Sequence, residues 1–124
     1  MKSFDNGLIT FIKILESGDL IVGAGNPGTI FIISIQGEIK KEIKIDANIA
    51  NSIFKIGSKF YLGTSSPATF YEMDSNLKLT LISTFDYEEV SDIDTCDGKI
   101  LFSLNAKKDE NKNAKIMEYS ESGG

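Results

Sequence analysis

Two clusters of residues, and one cysteine inside the second, have the types and spacing to do chemistry. Gly23-Ala24-Gly25-Asn26-Pro27-Gly28 satisfies Gly-x-Gly-x-x-Gly behind an apolar run, the spacing that lets backbone N–H groups approach a pyrophosphate. A dinucleotide site then needs a helix whose N-terminus faces the phosphates. Here Thr29-Ile30-Phe31-Ile32-Ile33 follows, a β-branched and aromatic run that favours a strand. Asp92-Ile93-Asp94-Thr95-Cys96-Asp97-Gly98 has the acid content of a calcium loop. Asp97 stands one residue late, however, and Ser103 occupies the twelfth position, where a bidentate Glu belongs. Cys96 has no basic neighbour in sequence to lower its pKa, and reads as a small, partly buried side chain.

Composition narrows the chemistry further. The 124 residues include no His, which removes the commonest acid–base group and metal ligand. All 13 basic residues are Lys, so the planar fork suited to phosphate and carboxylate is missing too. Residues 1–62 hold 7 Lys against 6 acids and residues 63–124 hold 6 Lys against 12. A phosphate backbone prefers a basic face, so no nucleic acid is expected as partner. No apolar run approaches the ~18 residues of a membrane span, and no membrane association is expected. One cysteine and an N-terminal stretch without the apolar core of a signal peptide point to a reducing, cytoplasmic setting. No carboxylate pair or nucleophile stands out, so an enzyme reading has no residue to rest on, and no cofactor or metal is expected.

The elements that position these residues come from a repeat. Leu20-Ile21-Val22-Gly23 through Thr29-Ile30-Phe31 falls on Phe60-Tyr61-Leu62-Gly63 through Thr69-Phe70-Tyr71 at an offset of 40 residues, and Gly18–Val22 meets Gly98–Phe102 a further 40 on. A fixed period of this size marks a unit that buries its apolar face only by stacking on copies of itself. The nucleotide-like glycines align with Gly63-Thr64-Ser65-Ser66-Pro67-Ala68. A structural turn explains both copies, whereas a cofactor loop explains one. Each unit divides into short strands: Ile12–Leu15, Asp19–Ala24, Thr29–Ser34 and Glu38–Ile45; then Ser52–Ile56, Lys59–Thr64, Thr69–Met73 and Leu77–Phe85; then Val90–Cys96, Lys99–Asn105 and Lys115–Ser120. Second and third strands are nearly unbroken apolar runs, covered on both faces. Fourth strands alternate, with Ile39, Ile43 and Ile45 opposing Lys40, Glu42 and Lys44. The polar stretch 106–113 adds about six residues and reads as a solvated loop.

This pattern resembles β-propeller repeats of the WD40-like and quinoprotein-like kind, through the Gly-Asp-Leu-Ile-Val-Gly-Ala-Gly strand, its turn and the apolar strand that follows. Neither Trp nor His is present to supply the family-specific marks, so only architecture carries over. The expected fold is all-β, a propeller segment of about three four-stranded antiparallel blades at residues 8–46, 47–86 and, incomplete, 87–122. A ring needs at least four blades. The chain is therefore expected either to be a segment of a longer protein or to complete its ring with another copy.

The expected function is a non-catalytic binding or scaffolding module presenting one propeller rim to a protein or small ligand. The alternative is a fragment of a larger propeller hydrolase or oxidoreductase with its catalytic residues elsewhere. The candidate rim gathers Asn26, Ser65, Ser66, Asp86, Tyr87, Glu88 and Glu89 with the 106–113 loop. Tyr87 is either its anchor or a tyrosine packed under a turn. Expected partners are a protein, further blades or a second copy. An isolated segment leaves the faces of Leu20–Val22 and Ile100–Phe102 as uncovered apolar flanks, so it should be oligomeric or poorly soluble.

Overall fold

Gly, Pro, Asn and Asp interrupt the apolar runs too often for a helix, and the computed structural model, which describes residues 3–120, has none among them. It has eleven strands: β1 (Leu8–Ile14), β2 (Leu20–Gly25), β3 (Thr29–Ile33), β4 (Ile39–Lys44), β5 (Ile49–Ile56), β6 (Lys59–Ser65), β7 (Ala68–Met73), β8 (Leu79–Phe85), β9 (Glu89–Cys96), β10 (Lys99–Asn105) and β11 (Lys115–Tyr119). Consecutive strands pair antiparallel within three meanders, β1–β4, β5–β8 and β9–β11. One bridge pair joins each meander to the next, Gly25 with Ile49 and Ser65 with Glu89. Both partners advance by 40 residues, so the sequence period is also the period of the junctions. The last two positions of the expected third unit lie outside the described residues.

Side-chain layers do most of the joining. Because side chains alternate across a strand, each meander has a leading face toward the preceding unit and a trailing face toward the next. Ile21, Ile30 and Ile32 on the first trailing face bury against Phe60, Leu62, Tyr71 and Met73 on the second leading face. Tyr61 and Phe70 on the second trailing face bury against Ile93, Ile100, Phe102 and Leu104 of the third unit. Phe70 and Phe102 stack with centroids 4.2 Å apart and planes at 12°. A third layer, Val22, Ala24, Phe31 and Ile33, lies on the first leading face. The ring of Phe4 covers it, 4.7 Å from Phe31.

Each inner strand carries a bulge, at Thr10 in β1 and Asn51 in β5, where the register shifts by one residue. The bulge turns a polar side chain onto the next unit: the Thr10 hydroxyl donates to the Ala50 carbonyl and the Asn51 amide to the Val90 carbonyl. In β9 the equivalent residue is Ser91. Its hydroxyl bonds to Ser103 Oγ at 2.6 Å within its own meander.

Several expectations change. β1 begins at Leu8 rather than Ile12, because its bulge lets pairing with β2 run on to Gly25. The fourth strands do not alternate cleanly. A shift between Ile32 and Ile33 puts Ile39 opposite Ile33 on the leading face and Ile43 opposite Ile30 on the trailing one. Leu81 is exposed. Ile100 and Phe102 are not a free flank: they point into the second unit, and Leu101 takes the outer side. Cys96 is exposed at the end of β9 rather than partly buried.

Candidate binding rim

The turns after β2 and β6 and the linkers between meanders meet at one end of the sheet, where backbone groups stitch them together. Gly28 N–H donates to the Ala47 carbonyl at 3.0 Å and, 40 residues later, Ala68 N–H to the Tyr87 carbonyl at 3.1 Å. Ser66 N–H donates to Glu88 O at 2.7 Å, Asn48 N–H to Ser66 O at 3.1 Å and Glu88 N–H to Asn105 O at 2.9 Å. Gly28 leads into strand β3, and its N–H is taken by Ala47. The glycine-rich segment thus forms a junction turn, without the helix that a dinucleotide loop requires. Thr29 and Thr64 brace the two turns by donating to the Pro27 and Pro67 carbonyls at 2.9 and 2.8 Å.

Of the seven residues read from sequence as a rim, the structure brings six together at the second junction. Ser65 pairs with Glu89, Ser66 with Glu88, and Asp86 and Tyr87 occupy the linker between them. Ser66 holds φ at 57°, a left-handed value unusual outside glycine. Asn26 is exposed in the equivalent turn of the first junction. Tyr87 is only 7% exposed. Its hydroxyl donates to the Asn113 carbonyl at 3.1 Å, and Lys112 Nζ sits 4.7 Å from its ring centroid. Of the two sequence readings of Tyr87, the structure shows the packed one.

The 106–113 segment is a clamp rather than a loose loop. Lys107 Nζ lies 3.0 Å from Asp86 Oδ1 and Lys112 Nζ lies 3.1 Å from Oδ2, with Lys112 also donating to the Asp86 carbonyl at 2.6 Å. Sequence reasoning missed both lysines, because only the folded chain brings them to Asp86 from 21 and 26 residues away. Also unforeseen is a cleft of about 280 Å³ at the opposite end, between the first two meanders. It has Leu15, Ile32, Phe60 and Leu77 below and Glu16, Asp19, Lys55 and Asp74 around it.

The lysine hydrogen bonds, Lys107's first, hold the Asp86 carboxyl below its ordinary 3.8. A carboxyl whose pKa falls on folding adds stability above its unfolded pKa and loses it as pH falls through the folded value. Asp86→Asn is therefore expected to lower the Tm at pH 7. That difference should shrink as pH is taken below 3.8. Melting curves across pH 2.5–7 check this; a difference that grows on acidification would contradict the clamp.

Fold and rim together define a repeat protein of stacked antiparallel meanders. No family model matches the chain. It is 31% identical over 103 residues to cilia- and flagella-associated protein 52 of Sus scrofa, and 32% identical over 103 residues to that of Bos taurus. Each match covers 82% of this chain but only 17% and 16% of the relative, so the chain spans about a sixth of their length. Among solved structures, it superposes on a Bacteroides caccae protein of unknown function with a TM-score of 0.53 and 14% identity. That match covers 97% of this chain and 48% of the other. The chain shares that fold. Among the described residues, no helix is long and apolar enough to cross a membrane.

Proposed function

We propose that the chain is a three-blade β-propeller segment working in the cytoplasm as a non-catalytic scaffold. On this reading it presents the rim of Asn26, Ser65, Ser66 and Asp86–Glu89 to a protein of a cilium or flagellum. The supporting observation is the similarity to cilia- and flagella-associated protein 52. A match of 103 residues is longer than two 40-residue units, so it reaches into all three. Repeats stacked edge to edge give a stiff platform whose loops change without disturbing the core. Glu88 and Glu89 are half-buried at the rim and suit a partner carrying basic residues.

The test is localisation of the tagged chain in ciliated cells. Wild type is expected on the axoneme, and Glu88→Lys with Glu89→Lys is expected to disperse it while the Tm stays within a few degrees. A diffuse wild type would overturn the ciliary placement. A folded variant that still localises would overturn the rim.

A further inference from the structure

The two outer faces of the stack are residue-for-residue equivalents of the faces buried at its junctions. On the leading side, Leu20, Val22, Phe31 and Ile33 of the first unit correspond to Phe60, Leu62, Tyr71 and Met73 of the second, which are buried against a preceding unit. The same positions in the third unit are Ile100, Phe102, Met117 and Tyr119. Among the described residues, Phe4 packs on the leading face of the first unit, where the second unit has a preceding unit. Asn6 holds the short strap around Phe4 through its side-chain amide, 2.8 Å from the Pro27 carbonyl and 3.3 Å from Thr29 Oγ1. Beyond the strap the apolar face continues into solvent, with Ile12 58% and Ile14 72% exposed opposite Val22 and Leu20.

The trailing face of the third unit is the counterpart. Leu101 corresponds to Ile21 and Tyr61, and Ile116 to Ile30 and Phe70, the residues that fill the two internal junctions. Ile116 is 76% exposed. Leu101 and Ile116 line a hollow of about 230 Å³ with Asp92, Asp94 and Ser103.

We infer that the leading face of one copy docks on the trailing face of a second copy, head to tail, displacing the Phe4 strap. Two such junctions close a ring of six units. The inference rests on the propeller reading proposed above. Two observations select a second copy as the occupant. The chain carries both halves of the junction. Repeated head to tail, such a contact makes a ring where its rotation closes and an open filament where it does not, and the test below separates the two. The similar solved chain is matched over 48% of its length, which leaves room for a second set of three units. The bulge pattern adds one specific contact. Thr10 reaches the Ala50 carbonyl and Asn51 the Val90 carbonyl, so Ser91 would turn from Ser103 to the Ile9 carbonyl of the second copy.

Sedimentation equilibrium of the full chain tests this. A particle of twice the chain mass that does not grow with concentration is expected. Ile14→Lys on the leading face and Ile116→Lys on the trailing face should each weaken association by about tenfold or more. Mixing the two variants should restore a heterodimer, because one junction then has two intact faces. Phe4→Ala should tighten association by removing the competing strap. A wild-type monomer at tens of micromolar would overturn the inference, as would an open series of larger species. If Ile14→Lys acts and Ile116→Lys does not, leading face meets leading face and the head-to-tail arrangement is wrong. Weaker association of Phe4→Ala would refute strap displacement. None of these results bears on the rim, whose test reads localisation instead.

Discussion

Phe102→Ala is expected to be the most damaging single truncation in the chain, costing about 3–5 kcal/mol. The ring is 4% exposed and stacks on Phe70 at 4.2 Å, with Phe85 5.6 Å away. It is the central piece of the layer between the second and third meanders, whose backbones bond at the rim end, around the bridge of Ser65 to Glu89. Removing it leaves a cavity that neighbouring strands cannot close without breaking their own ladders. The Tm should fall by on the order of 10–20 °C. Phe102→Leu, which keeps most of the volume, should cost less than about 1.5 kcal/mol. Thermal melts of the pair decide, and a Phe102→Ala variant melting with wild type would show that this layer does not hold the stack together.

The second large effect comes from adding atoms. A Cβ on Gly63 would run into the Val90 side chain and lie 2.5 Å from Ser52 Oγ. Val90 belongs to the next meander and Ser52 to the inner strand of Gly63's own, so the added methyl wedges a junction from within. Gly63→Ala should cost about 1–3 kcal/mol. Gly7→Ala is the control: nothing lies within 4 Å of its added Cβ, and its effect should stay within about 0.5 kcal/mol. Equal denaturation midpoints for the two variants would mean that the close approach at Gly63 is not tight in solution.

Much of this arrangement was legible in the sequence, and for a physical reason. The apolar runs Leu20–Val22 and Ile30–Ile33 and the turns at Gly25–Gly28 and Ser65–Ala68 repeat because every junction needs the same filling and the same sharp return. All-β structure and unit order follow from that. Features fixed by single tertiary contacts were not legible. The bulges at Thr10 and Asn51 change which face a residue occupies, yet Thr and Asn in a strand carry no local mark of a register shift. Phe4 has no periodic partner, so its cover over Phe31 was hidden. The rim was found as a location, because turn residues mark it. Its electrostatics were not, because the lysines that hold Asp86 come from an insertion that the repeat does not contain.

The one-bridge junctions have a mechanical consequence. Gly25–Ile49 and Ser65–Glu89 both sit at the rim end, while the other end of the first junction is closed only by side chains around the 280 Å³ cleft. Relative motion of neighbouring units is therefore a rotation about an axis near the rim. Such a rotation leaves the spacing of Ser65, Ser66 and Glu88 nearly constant and changes the width of the cleft most. Under lateral load the stack flexes on the cleft side and keeps its gauge on the rim side, so the turns along the rim hold a fixed pitch.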